Sequence, residues 1–293
     1  MRWRPLFFLV LGLICLGCFF VFKEYKLFIG KKFSAKTQIV SPTATDSITP
    51  TASPSATPTP KPLTFAEMNK LYGPCVSLPV LMYHHVELPE NAATFKRTYL
   101  NVPPETFKKQ MEYLNSKGYS SVTPFDLVNY FDNGVKLPSK PVMITFDDGY
   151  VDIGDLAFPI MRELGIKGTV FIPTGLMENI DYLTWAKIDD MKASGLINFG
   201  NHTWSHKNVG GTTSVVENEI TIADTQLSDR GLNNPKIFAY PFGLETKQGI
   251  IILKKMGYQL AFTTVYGRTQ CEKKRFDLPR IRIGNASLSS YGL

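Results

Sequence analysis

The chain has 293 residues, 44% hydrophobic and 19% charged, the composition of a globular domain with a tail, which excludes a fibrous or wholly disordered protein. Its net charge of +7 is concentrated at the front, where residues 1–61 carry eight Lys and Arg against Glu24 and Asp46, leaving the body nearly neutral. A neutral body argues against nucleic-acid binding, and four cysteines are too few for a disulfide framework or an all-cysteine zinc site.

From Pro5 to Phe22 run eighteen residues without a charge, with Arg2 and Arg4 before them and Lys23 after, long enough to cross a bilayer. That position makes the run an export signal or a membrane anchor. No small-x-small cleavage site comes after it, and Cys15 stands where a lipoprotein signal ahead of Cys18 would have Leu. An uncleaved anchor helix over residues 1–33 is therefore expected, with secretion after cleavage as the alternative. Basic residues on both sides leave its orientation open. Residues 34–63 read as a disordered linker, because 41–62 are almost entirely Ser, Thr, Pro and Ala and cannot bury a core. At ~3 Å per residue in a polyproline conformation, such a tract reaches up to ~60 Å. Anchor, spacer and neutral body (64–293) together predict a cell-membrane protein whose domain works outside the cell.

In the body, short apolar runs alternate with amphipathic segments, which predicts an α/β fold with a largely parallel sheet. Strands are expected at Pro79–Tyr83, Val142–Phe146, Thr169–Pro173, Ile197–Asn201, Ile237–Tyr240, Leu260–Thr263 and Arg280–Ile283. Helices are expected at Pro104–Lys117, Asp155–Leu164, Trp185–Ala193, Val215–Ser228 and Lys247–Met256. The first is clearest, with Phe107, Met111 and Leu114 at helical spacing and Gly118 as its stop. About seven strand–helix units predict an irregular (β/α)7-type barrel, in which chemistry gathers at the C-terminal ends of strands.

Four predicted strands end in unusual residues: Tyr83-His84-His85, Asp147-Asp148-Gly149, His202 with His206, and Tyr240-Pro241-Phe242-Gly243. They contain every histidine of the chain. Taken alone, Asp-Asp-Gly is turn chemistry. Adjacent buried carboxylates repel, however, and a cation resolves the repulsion. Two histidines four apart with one carboxylate make a hydrolytic metal set, which shifts the balance toward a divalent metal, with zinc the first expectation and nickel, cobalt or iron accepting the same ligands.

Thr145-Phe-Asp-Asp-Gly149 together with His202-Thr-Trp-Ser-His206 resembles the polysaccharide deacetylase family, the chitooligosaccharide deacetylase-like metal-dependent hydrolases. The likeness spans roughly residues 78–285. It implies an irregular β/α barrel that removes acetyl groups from amino sugars in polymers, with Asp147 as catalytic base and Asp148, His202 and His206 as metal ligands. It also implies that the backbone N–H of Phe242 serves the oxyanion. Two departures stand out. Ala239 occupies the place where the family has an Arg that orients the base, and no histidine lies beyond His206 to serve as the acid. Leu-Met-Tyr-His-His-Val at the start of the body instead resembles the circularly permuted branch acting on poly-N-acetylglucosamine, which implies His84 as general acid, with His85 second. Strand alternation allows only one of the two to face inward.

Arg280 or Arg282 can replace the missing Arg, an outward pair on an edge strand being the equal alternative. Trp204 and Tyr240 are candidates to stack on sugar rings, and Cys75 and Cys271 are expected to stay unpaired. The expected partners are a polysaccharide, poly-β-1,6-N-acetylglucosamine ahead of peptidoglycan or chitin-like chains, and the membrane; a monomer is expected. An O-acetyl esterase or an inactive sugar-binding module are the competing readings.

Overall fold

The computed structural model describes residues 61–293; the predicted anchor and almost all of the predicted linker lie outside the described residues. Among the described residues, no helix is long and apolar enough to cross a membrane. The chain runs through helix α1 (Phe65–Tyr72), strands β1 (Cys75–Ser77) and β2 (Val80–Tyr83), helices α2 (Pro89–Thr94) and α3 (Pro104–Ser116), the short strand β3 (Ser120–Ser121), α4 (Pro124–Asn133) and β4 (Pro141–Phe146). Next come alternating units: α5 (Phe158–Leu164), β5 (Gly168–Ile172), α6 (Trp185–Ala193), β6 (Ile197–Asn201), α7 (Thr213–Ser228), β7 (Ile237–Ala239), α8 (Lys247–Lys255) and β8 (Leu260–Tyr266). Strands β9 (Thr269–Cys271) and β10 (Leu278–Arg282) complete the fold.

Seven parallel strands, in the order β2-β10-β8-β7-β6-β5-β4, close into a barrel because β2 also pairs with β4. Strands β2, β4 and β5 are buried at every position, which is why they read in sequence as unbroken apolar runs. The ring is irregular. β6 and β7 share a single partnered position, Asn201 with Phe238, and the β8–β10 register shifts between Leu278 and Arg280. Strand β3 pairs with the first residues of β4 and β5 with its last, so the two share one side of β4.

The helices obey local chemistry. α3 buries Phe107, Met111 and Leu114, and Gly118 takes the left-handed conformation just beyond it, where a Cβ would be costly. The helix expected at Asp155–Leu164 begins instead as a π turn over Ile153–Ala157 before α5. Pro159 has no N–H for the Asp155 carbonyl, so the regular ladder cannot run through this point. α4 escaped the periodicity reading, although Thr123 and Asp126 form a reciprocal capping box around Pro124 and Gly134 caps the other end.

Cys75 and Cys271, expected to stay unpaired, are opposite each other in the antiparallel β1–β9 ribbon and form a disulfide, with Cα atoms 4.1 Å apart. Their places at the two ends of the domain allowed the pairing, but neither short strand is visible as a pattern that would bring them together. The bond closes a separation of 196 residues. Replacing both cysteines by Ser should lower unfolding free energy by about 2–5 kcal/mol. Denaturant titration of the double variant checks this, and an unchanged midpoint would show that the ribbon holds without the bond.

Candidate active site

The tips of β2, β4, β6 and β10 converge on one group of polar side chains. Asp147 and Asp148 come directly after β4, and both are under 10% exposed. Their environments differ. Asp147 lies against Arg280, whose side chain is completely buried inside the barrel and donates from Nη1 and Nη2 to the two carboxylate oxygens at 2.7 Å each. Arg280 is itself held by the Thr263 carbonyl, 2.8 Å from Nε, and by Thr145 Oγ1, 3.3 Å from Nη1. Burial raises the Asp147 carboxyl, but the Arg280 charge and hydrogen bonds outweigh it and hold it below the usual range.

Asp148 faces the histidines. Its Oδ1 lies 3.3 Å from His202 Nε2 and 3.1 Å from His206 Nε2. The same oxygen is buried and has no hydrogen-bond partner, an orphaned acceptor in a nest of possible ligands. One ligand atom from each of the three residues falls within 4.8 Å of the others. His202 Nδ1 is 2.7 Å from the Ala239 carbonyl, which only accepts, so Nδ1 carries a proton and Nε2 is the nitrogen turned toward Asp148. Two imidazoles and one carboxylate with an unsatisfied oxygen fit a divalent metal. Burial raises the Asp148 carboxyl, yet the two histidines hold it well below its usual range.

The backbone bends hard to build this. Asp148, Thr203, His206 and Phe242 all have φ between 60° and 71°, left-handed values that cost a non-glycine residue of order 1–3 kcal/mol. Gly149 is left-handed as well, and a Cβ there would lie 2.8 Å from Ile172 Cγ2, so only glycine fits after Asp148. Two residues not singled out from the sequence fix the histidine loop. Glu219 accepts from the backbone N–H and Oγ of Ser205, both at 2.8 Å, and Asn201 Oδ1 accepts from Thr203 N–H at 2.7 Å. A signal existed for Glu219: it shares the buried face of α7 with Val216, Ile220, Ala223 and Leu227, where an acid needs a reason.

The other candidates separate. His84 is half-buried and comes directly after Tyr83, whose carbonyl accepts Asp147 N–H; burial pushes its imidazole down to about 4, with the charges of Asp147 and Asp148 opposing. His85 is 1% exposed, bonded through Nδ1 to Asp152 Oδ2 at 2.7 Å and stacked on Tyr150. His85, Glu87 and Asp152 also lie within ligand reach of one another, but Arg97 takes both Glu87 oxygens, while Val86 N–H and His85 take those of Asp152. Arg282 is exposed at the tip of β10, which lies between β8 and β2 and is not an edge. Tyr240, a candidate for sugar stacking, is fully buried with its hydroxyl on the Phe276 carbonyl, and so belongs to the core. Trp204 is partly exposed and packs its indole over Gly175. Phe242 is exposed, its ring 4.7 Å from that of His206. A separate hollow of about 190 Å³ near the starts of β6 and β7 is lined by no acid or histidine.

Residues 134–261, which include Asp147, Asp148, His202 and His206, match the family model described as polysaccharide deacetylase. YxkH of Bacillus subtilis, a protein named for the same family, is 29% identical over 217 residues, covering 73% of this chain and 75% of its own length. A poly-beta-1,6-N-acetyl-D-glucosamine N-deacetylase of Staphylococcus epidermidis is 28% identical over 199 residues, 63% of this chain and 68% of that protein. Among solved structures, the Streptococcus pyogenes deacetylase PplD in complex with acetate superposes with a TM-score of 0.67 at 29% identity, over 74% of this chain and 96% of that one.

Removing Arg280 leaves the Asp147 carboxylate buried without a counter-charge. Arg280→Met should destabilise the domain by about 3–5 kcal/mol. Thermal and denaturant unfolding measure the loss; a cost below about 1 kcal/mol would mean that water reaches Asp147.

Proposed function

We propose that this site, whose Asp147, Asp148, His202 and His206 lie in the segment matching the polysaccharide deacetylase family model, hydrolyses N-acetyl groups on N-acetylglucosamine units of an extracellular polymer, poly-β-1,6-N-acetylglucosamine first, with the help of one divalent metal ion. The observation that carries the reading is the division of labour between the two aspartates: one is locked to an arginine, the other offers a bare buried oxygen to two histidines. An acetamide is a poor electrophile, so its hydrolysis needs an activated water, charge stabilisation and a proton for the departing amine.

Asp148, His202 and His206 would hold the ion. Zinc or a related divalent ion supplies Lewis-acid activation of water and of the acetyl carbonyl. Asp147, kept ionised by Arg280, accepts a proton from the attacking water. The bidentate grip leaves the carboxylate few orientations, so the proton meets a fixed acceptor. The backbone N–H of Phe242, in its left-handed turn beside His206, is the candidate donor to the developing oxyanion. His84, one residue past the Tyr83 carbonyl that accepts Asp147 N–H, delivers a proton to the nitrogen as the carbon–nitrogen bond breaks, so acetate and a free amine leave. Trp204 and Phe242 remain partly exposed near the histidines and are the surfaces offered to the sugar.

The choice of polymer is supported by the name of the Staphylococcus epidermidis relative and by the resemblance of Leu81-Met-Tyr-His-His-Val86 to the branch acting on poly-N-acetylglucosamine. A site outside the cell is supported by the Cys75–Cys271 bond, which persists in oxidising compartments, and by the apolar run at Pro5–Phe22.

The deciding assay is amine release from β-1,6- and β-1,4-linked N-acetylglucosamine oligomers by the full chain, with and without a chelator. Release should stop with chelator, return with zinc and favour the β-1,6 linkage; no release from either polymer overturns the reading. Asp147→Asn should keep its metal and lose at least ~100-fold in kcat. His202→Ala should lose both metal and turnover, so a metal-free, fully active His202→Ala protein is incompatible with the ligand assignment.

A further inference from the structure

Resting on the reading of His84 as the proton donor, we propose that Asp152 is a positioning residue that fixes the reach of His84 by strapping the end of β2 to the loop carrying Asp147 and Asp148. The need for a strap arises from the strand itself. The last β2–β4 register pair is Tyr83 with Phe146, so His84 stands one residue past the ladder, where pairing no longer fixes the chain.

The chain just beyond His84 is tied down from two directions. The backbone N–H of His85 donates to the Leu100 carbonyl at 3.1 Å, and the His85 carbonyl accepts from Val102 N–H at 3.0 Å. From the other side, one carboxylate takes both remaining groups. Asp152 Oδ1 accepts Val86 N–H at 2.8 Å, and Oδ2 is 2.7 Å from His85 Nδ1. The His85 ring also stacks on Tyr150 with centroids 3.7 Å apart. Asp152 is 7% exposed and His85 1%, so water competes little for these bonds. Tyr150 and Asp152 lie only three and five residues beyond Asp147. On the near side of His84, the Tyr83 carbonyl accepts from Asp147 N–H at 3.0 Å. The proton donor is therefore bracketed, before and after, by bonds to the segment that carries the proton acceptor and a metal-binding carboxylate. A misplacement of 1 Å in such a group can cost about 100-fold in rate.

This role is separable from general support of the fold by leaving-group chemistry. An amine must be protonated to leave; 4-nitrophenolate leaves without a proton. In the full chain, Asp152→Ala should lower kcat for N-acetylglucosamine oligomers by ~10–100-fold while KM, bound metal and turnover of 4-nitrophenyl acetate stay close to wild type. Placed in a His84→Ala background, it should cause no further loss on the oligomers. Equal losses on amide and ester, or a full additional loss without His84, would overturn the proposal. If Asp152→Ala does not fold, His85→Phe, which keeps a ring against Tyr150 but cannot donate to Asp152, carries the same comparison with the same selective loss expected. A wild-type chain releasing no amine would instead defeat the polysaccharide reading; alkyl acetate against 4-nitrophenyl acetate then decides the strap, a loss confined to the alkyl ester supporting it and equal losses overturning it.

Discussion

Asp147 and Asp148 are consecutive residues and both are nearly removed from water, so each needs its own source of positive charge. The structure answers twice, in opposite directions. Arg280 rises through the barrel interior and saturates Asp147, while Asp148 shares its buried oxygen with two histidines, a set that a divalent cation would complete. A fully buried guanidinium is expensive unless every face is satisfied, which accounts for the Thr263 carbonyl and Thr145 hydroxyl that share it. The barrel core is therefore built around a charge. Left-handed turns at Asp148, Thr203, His206 and Phe242 store strain that the surrounding packing must hold.

Ring closure explains how residues so far apart in sequence meet. β2 lies between β10 and β4, so His84, Arg280 and Asp147 come from adjacent staves although they span most of the domain. In a closed ring the first and last strands are neighbours. A residue supplied at the beginning of the body therefore shares a neighbourhood with one supplied at its end, as His84 after β2 and Arg280 on β10 do, while Ala239 at the tip of β7 leaves Asp147 to be met from β10.

The barrel was legible in the sequence because β2, β4 and β5 are buried on both faces and cannot be mistaken for polar segments. The four metal and base candidates were legible because they punctuate strand ends, where polar residues interrupt apolar runs. Tyr240 misled for the same reason: it sits at a strand end, yet its ring turns into the core between Phe238 and α8. Between Arg280 and Arg282 alternation could not choose, since both project from the same side of β10, and only the depth within the barrel distinguishes the buried one from the exposed one. Asp152 carried no pattern at all. Its importance lies in a contact with residues 66 and 67 positions earlier, which periodicity does not encode.

The bond between Cys75 and Cys271 encircles every strand of the barrel except β10, and the histidine loop and both aspartates lie inside that circuit. A protease that nicked any exposed loop within it would not separate the fragments. The piece bearing Arg280 would stay covalently joined to whatever precedes β1, so a clipped molecule would travel as one species until a reductant reached the ribbon.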